Sequence, residues 1–187
     1  MPIRNPSVSN VFYQKLFSDD QCDKILASLN DESWGNPQVR DQGENGKSAK
    51  NAIAHYFQQQ RLPVQQNGYP LDMICNHICA FNSSGWKFAI SGVVGDDFPS
   101  ILRYQDHQAG LENWHSDVGP GVDASRKLGF CLQLTQGNKY DGGDLEFHNV
   151  SIDRTALRER GTLIVYPSYW LHRCTPVTRG KRYAVIG

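Results

Sequence analysis

Two hydrophobic periods divide the chain. Cys22, Ile25, Leu26 and Leu29 recur at the helical spacing i, i+3, i+4, i+7 behind Ser18-Asp19-Asp20-Gln21. That tetrapeptide reads as a helix start, with a capping serine, acids in the first turn and a glutamine three residues on. Leu71, Ile74, Cys75 and Ile78 repeat the spacing behind Pro70, a residue suited to a first helical position. Residues 35–68 between them are rich in Gly, Asn and Gln, and the segment around Ile53, Tyr56 and Phe57 fits helix or strand equally. From about Trp86 the period shortens. Lys87–Val94, Ser100–Tyr104, Lys127–Thr135, Asp144–Val150, Thr162–Tyr166 and Arg182–Ile186 are short runs rich in β-branched and aromatic residues, and they predict strands. Asp141-Gly142-Gly143 and Thr178-Arg179-Gly180 read as turns. The pattern predicts helices packed outside a two-sheet β core. One unit is expected over residues 1–187, with helical support in 1–85 and the β core in 86–187.

Composition narrows the partners. The 187 residues suffice for one full core, and 19 basic residues balance 19 acidic ones. The basic excess of a nucleic-acid footprint is absent. No apolar run approaches the ~20 residues of a membrane helix, and no charged head precedes an apolar stretch at the start. A cytoplasmic protein without nucleic-acid or membrane partners is expected. Five widely spaced cysteines, at 22, 75, 79, 131 and 174, predict reduced, mostly buried thiols.

Candidate chemistry centres on His115-Ser116-Asp117. Side chains two apart on an extended strand point the same way, so this pair can grip one ion from one side. His172, just past the predicted strand Thr162–Tyr166, would supply a third ligand. Two histidines and a carboxylate form the facial triad that leaves open positions on Fe(II). On spacing alone, a partly buried histidine with a satisfied hydrogen bond accounts for His172 equally well. Arg182 follows ten residues later. They flank the turn-rich stretch Thr175–Gly180, so His172 and Arg182 can sit on neighbouring antiparallel strands facing one cavity. A guanidinium fork matches a carboxylate in two parallel hydrogen bonds.

Other motifs carry less. In Cys75-x-His77-x-Cys79 the histidine lies ~200° around a helix from both cysteines, so core thiols are expected in place of a zinc site. His107 reads as a loop residue in solvent, His55 and His148 as structural or solvated, and Cys174 as a small core residue. Trp114 and Trp170 flank the ligands and fit a pocket wall or a core equally.

Taken in order, these residues carry a family resemblance. Leu102-Arg103-Tyr104, Trp114-His115-Ser116-Asp117 and Asp141-Gly142-Gly143-Asp144-Leu145-Glu146-Phe147 resemble the first half of the prolyl-4-hydroxylase-like Fe(II)/2-oxoglutarate dioxygenases. The segments 161–168, 171–178 and 180–184 resemble the second half, closest to the PKHD-type hydroxylases. The likeness spans about residues 86–187. It implies an α+β, mainly β fold: a double-stranded β-helix, or cupin-like jelly roll, braced by N-terminal helices. It implies His115, Asp117 and His172 as iron ligands and Arg182 as partner of the distal carboxylate of 2-oxoglutarate. Tyr104 matches a tyrosine that faces co-substrate or substrate. Gln133 falls where relatives place a polar group against that carboxylate. The cofactors implied are Fe(II), 2-oxoglutarate and O2, with ascorbate as reductant. The reaction implied is hydroxylation coupled to conversion of 2-oxoglutarate to succinate and CO2, with peptidyl proline in a peptide or protein as substrate. Asp117 argues for hydroxylation over halogenation. Two alternatives stay open: a hydroxylase of a free amino acid or small metabolite, and a cupin-like module that binds metal or ligand without turnover.

Overall fold

The computed structural model describes residues 11–31, 34–35, 57–93, 98–106 and 112–187. The expectations for His55, for His107 and for the segment from Ile53 to Tyr56 lie outside these residues. Among the described residues no helix is long and apolar enough to cross a membrane.

Those residues hold ten strands and three α-helices in the order β1 (Phe12–Lys15), α1 (Asp19–Ala27), β2 (Gln58–Arg61), α2 (Leu71–Ser84), β3 (Ser100–Gln105), β4 (Glu112–His115), β5 (Leu128–Gln133), β6 (Tyr140–Gly142), β7 (Leu145–Phe147), α3 (Arg154–Arg158), β8 (Thr162–Pro167), β9 (His172–Cys174) and β10 (Val177–Ile186). The larger sheet runs β1-β8-β5-β10-β3-β2, with β6 paired to the start of β10. A three-stranded sheet, β4-β9-β7, faces it. The fold is a double-stranded β-helix, mainly β with few helices.

The central strands read as nearly unbroken apolar runs because both of their faces are covered. Leu132, Leu163, Val165 and Val185 pack with Cys22 and Ile25 of α1 and Ile74 of α2. Their neighbours Cys131, Ile164, Tyr166 and Ala184 point the other way, toward Leu145 and Phe147 of the small sheet. Ser18 closes the capping box with Gln21 as its sequence predicts.

Four expectations are corrected. Residues 87–93 form no strand. Lys87 turns into the left-handed region at φ 59°, and the Asn82 amide takes both the N–H and the carbonyl of Phe88 at 2.9 and 2.8 Å, groups that a ladder would need. The first 85 residues are not only helical, since β1 and β2 edge the large sheet. The stretch Thr178–Gly180 is no turn but a bulged part of β10, where Gly180 at φ 77° passes the Lys139 carbonyl too closely for a side chain. Finally, Cys79 is exposed and Cys75 half-buried, so only Cys22, Cys131 and Cys174 are core thiols.

Candidate metal centre and anion seat

β4 and β9 run antiparallel, and their register sets His115 directly opposite His172. The imidazole centroids lie 4.3 Å apart. β4 ends at His115, so Asp117 sits in the bend beyond it and not on the strand as the sequence suggests. The bend is tied down by the Asp117 N–H donating to the Ser168 carbonyl at 2.8 Å and by Arg126 Nη1 donating to the Asp117 carbonyl at 3.0 Å. Asp117 Oδ1 lies 3.5 Å from His115 Nε2 and 3.7 Å from His172 Nε2. One ligand atom from each of the three residues falls within 4.8 Å of the others.

Backbone carbonyls orient both rings. His115 Nδ1 lies 2.7 Å from the Asn113 carbonyl, and His172 Nδ1 lies 2.9 Å from the Trp170 carbonyl. A carbonyl can only accept, so each Nδ1 carries the proton and each neutral Nε2 turns its lone pair to the centre. This is the outer-sphere arrangement that prepares a histidine for a metal. Burial pushes the His172 pKa down, against the pull of Asp117, and so favours that neutral form. Burial alone would raise the Asp117 pKa, but in the metal-free site the two facing imidazoles, whenever they are protonated, and the Arg126 guanidinium outweigh it and lower that pKa. The set carries one negative charge and two neutral nitrogen donors, a donor set that fits a divalent cation.

Two residues that the motif reading passed over shape this end. Gly129 of β5 leaves the room the carboxylate needs: a Cβ there would stand 2.5 Å from Asp117 Oδ2 and 2.7 Å from the Tyr166 ring. Its signal was present in the sequence, as an isolated glycine inside a strand pattern marks a close approach. The Tyr166 hydroxyl lies 3.2 Å from His172 Nε2 and has no motif of its own.

The other end of the interior is built around Arg182. β9 and β10 are not neighbours, as the spacing suggests; they lie in opposite sheets, and the chain crosses between them at Thr175–Pro176. His172 and Cys174 share a face of β9, and Cys174 meets Arg182 across the sandwich. Arg182 is 1% exposed. Its Nη1 and Nη2 donate to the sulfurs of Cys174 and Cys131 at 3.4 and 3.5 Å, and its Nε donates to Gln133 Oε1 at 3.2 Å. Tyr104, its partner in the β10–β3 register, places its ring centroid 5.0 Å from the guanidinium carbon. Tyr104, Gln133 and Arg182 thus meet in one place, and Cys174, a small core residue as expected, borders it. Among the described residues no carboxylate pairs with this buried cation. Thr162 Oγ1 is also buried, and among the described residues it has no hydrogen-bond partner.

The strands give the separation of the two ends. Along β5, Gly129 adjoins Asp117, and Cys131 two residues on adjoins Arg182. Along β9, His172 and Cys174 repeat the same step. Two residues of strand span roughly 7 Å. A cleft of about 220 Å³ at the small sheet is lined by Trp114, Phe147, His148, Asn149, Ile152 and Arg154 among others, and no triad residue lines it. Trp114 therefore walls a cleft, with Arg173 over its ring and the His148 ring edge-on to it. Trp170 packs against the inner core and ties its Nε1 to the His148 carbonyl.

Comparison with known proteins places this arrangement. No family model matches the chain. The PKHD-type hydroxylase of Idiomarina loihiensis is 34% identical over 88 residues, 47% of this chain and 39% of that protein. The one from Rippkaea orientalis is 40% identical over 103 residues, 52% of this chain and 42% of that protein. The matched stretch thus spans under half the length of either relative. Among solved structures, a Pseudomonas putida prolyl-4-hydroxylase superposes with a TM-score of 0.65 at 16% identity, over 95% of this chain and 90% of that one. The collagen prolyl hydroxylase of Paramecium bursaria Chlorella virus-1, in complex with 2-oxoglutarate, gives 0.61 at 16% identity over 95% and 94%. A Trichoplax adhaerens prolyl hydroxylase bound to a hypoxia-inducible-factor peptide fragment gives 0.60 at 15% identity over 95% and 81%. The homologues of this chain are PKHD-type hydroxylases, and its structural neighbours are prolyl-4-hydroxylase-like Fe(II)/2-oxoglutarate oxygenases.

Proposed function

We propose that this chain is an Fe(II)- and 2-oxoglutarate-dependent hydroxylase acting on a peptide or protein, with a prolyl residue as the hydroxylated group. The observation that carries the reading is the buried Arg182 guanidinium, which has no carboxylate partner among the described residues and lies two strand residues from a cation-seeking triad. An uncompensated buried charge is costly, so the site is built to receive an anion there. A five-carbon diacid spans about 5 Å between its carboxyl carbons at ~1.5 Å per bond, which suits the separation of the two ends.

In this reading His115, Asp117 and His172 hold the iron. The Asn113 and Trp170 carbonyls fix the two imidazoles, and Gly129 leaves room for the carboxylate. Iron with bound 2-oxoglutarate supplies the oxidant that places one oxygen atom of O2 on a substrate carbon as the oxo acid becomes succinate and CO2. Arg182 binds the distal carboxylate, Gln133 steadies Nε of that guanidinium, and the Tyr104 ring supports its flank. Burial excludes water from this contact and so strengthens it. Ascorbate would serve as reductant. The prolyl assignment draws on the relatives: the Trichoplax adhaerens neighbour holds a peptide, and several neighbours act on proline.

The test is incubation of proline-containing peptides and of free amino acids with the protein, Fe(II), ascorbate and 2-oxoglutarate. Peptides should gain the mass of one oxygen atom, mapped by fragmentation to proline. Efficient turnover of a free amino acid, with peptides untouched, would transfer the assignment to a small-molecule hydroxylase.

A further inference from the structure

Tyr166 of β8 stands against the triad, and no step of the proposed chemistry uses its hydroxyl. The side chain is buried, with its ring 5.1 Å from that of Phe147 and 4.6 Å from that of His172, centroid to centroid. The pairing of β5 with β8 sets Gly129 opposite Tyr166. The hydroxyl lies 3.2 Å from His172 Nε2. His172 Nδ1 keeps its proton on the Trp170 carbonyl, so Nε2 accepts and the phenol donates. That lone pair is the one a metal ion would take. An ion and the phenol proton cannot share it, and a buried O–H left without an acceptor is costly. The Asp117 carboxylate offers a second acceptor. Its Oδ1 lies 3.5 and 3.7 Å from the two Nε2 atoms. Its Oδ2 is turned to Gly129, where a Cβ would stand 2.5 Å from that oxygen, 2.7 Å from Tyr166 Cε2 and 3.0 Å from Tyr166 Cζ. The hydroxyl-bearing end of the ring and the outer carboxylate oxygen therefore converge over one glycine.

Resting on the metal-binding role of the triad in the proposed function, we propose that Tyr166 is a positioning residue whose hydroxyl changes acceptor when metal binds. In the metal-free protein it holds the His172 lone pair; once the metal takes that lone pair, it donates to Asp117 Oδ2. The exchange ties Oδ2 back to β8 and leaves Oδ1 as the ligand, so the carboxylate takes one coordination position and not two. A carboxylate free to turn could chelate with both oxygens. It would then fill one of the positions that a facial triad keeps open. The exchange is also favourable in itself, because a hydrogen bond to a charged oxygen is stronger than one to a neutral nitrogen.

Calorimetric titration of Mn(II) into the full chain, wild type and Tyr166→Phe, tests this without turnover. The substitution removes one oxygen and retains the ring between Phe147 and His172, and a thermal melt verifies that the fold is kept. The variant loses the weaker bond, to a neutral imidazole, when metal-free and the stronger bond, to a carboxylate, when loaded. Its Mn(II) affinity should therefore fall about five- to tenfold. An unchanged affinity overturns the inference alone. So does a raised one, since the phenol would then only compete with the metal for His172. A crystal structure of the Mn(II)-loaded wild type gives a readout that a merely structural role would not produce. It should show the Tyr166 oxygen within hydrogen-bond distance of Asp117 Oδ2, with Oδ1 on the metal. A hydroxyl that ligates the metal, or one that points away from Asp117, overturns the inference. Wild-type protein that binds Mn(II) in this way but takes up no 2-oxoglutarate overturns the proposed function and leaves the role of Tyr166 standing. Wild-type protein that binds no Mn(II) overturns both.

Discussion

The two ends of the interior differ in charge and in exposure. At the triad end, His115 and Asp117 are half-buried, and the carboxylate gives the cluster one negative charge. At the other end, Arg182 is buried as completely as any apolar core residue, and two thiols and an amide oxygen surround it. Among the described residues one end gathers a carboxylate and two imidazoles and the other a guanidinium, opposite in charge. Isolated buried charge is expensive. Placed two residues apart along the same strands, the two ends are complementary, in the proposed reading, to one ligand that binds a metal at its head and carries a carboxylate at its tail. The exposed end is the one where a large substrate and O2 can arrive.

The comparison breaks most severely at the triad. His115→Ala, Asp117→Ala or His172→Ala should each abolish turnover and cut Fe(II) binding, since each removes one of three protein donors. Near-normal turnover by any of them would dismiss the triad. Zn(II), Co(II) or Mn(II) should occupy the site without supporting turnover, because the reaction needs the oxidation-state change of iron itself.

Arg182→Ala should act on the opposite end alone. Metal affinity should be kept, and 2-oxoglutarate binding should weaken by about 2–5 kcal/mol, the cost of breaking a buried, hydrogen-bonded charge pair. Arg182→Lys should fall between, keeping charge but losing the fork. Titration of 2-oxoglutarate into the Mn(II)-loaded variants reads this directly, and an unchanged affinity in the Ala variant would move the clamp elsewhere.

Gly129→Ala should sharpen the division from the triad side. The new methyl would press on Asp117 Oδ2 and the Tyr166 ring. Metal affinity should fall by about ten- to a hundredfold, the range for disturbing groups that orient ligands. Equal affinities for the variant and the wild type, by metal titration, would mean that the loop at Asp117 yields freely.

The smallest effect is that of acid on the metal-free protein. The His172 pKa is lowered below its ordinary 6.5 by burial, so the unfolded chain takes up that proton before the folded chain does. Stability is therefore full above 6.5 and is lost as the pH falls from there through the folded pKa. His172→Gln should flatten that slope in denaturant melts taken across the window. An unaltered slope would assign the pH dependence to other groups.

Much of the site was legible because its parts are short-range or chemically distinctive. His115 and Asp117 sit two apart, and an arginine at a fixed interval after His172 is a rare combination. The large-sheet strands were legible where burial on both faces left continuous apolar runs, as in Leu128–Gln133 and Thr162–Pro167. What escaped depends on long-range pairing. The β2 sequence Gln58-Gln59-Gln60-Arg61 is polar throughout and is a strand only because β3 pairs with it. The run after Trp86 has strand composition, but the Asn82 side chain competes for its backbone. The sheet of His172 was equally hidden. Thr175–Pro176 looks like a hairpin connection between neighbours, but it carries the chain from one sheet to the other. Tyr166 reaches the site through register and could not be found from spacing.

The central claim is that both ends act on one molecule of 2-oxoglutarate. The most direct measurement is succinate released from 2-oxoglutarate by the aerobic protein with Fe(II) and ascorbate, followed against 2-oxoglutarate concentration for wild type, His172→Ala and Arg182→Ala. Wild-type release should require both Fe(II) and O2. His172→Ala should release none at any concentration, and Arg182→Ala should recover only at high concentration. Release that does not need Fe(II), no release from an iron-loaded wild type, or an Arg182→Ala curve that overlays the wild type would contradict it.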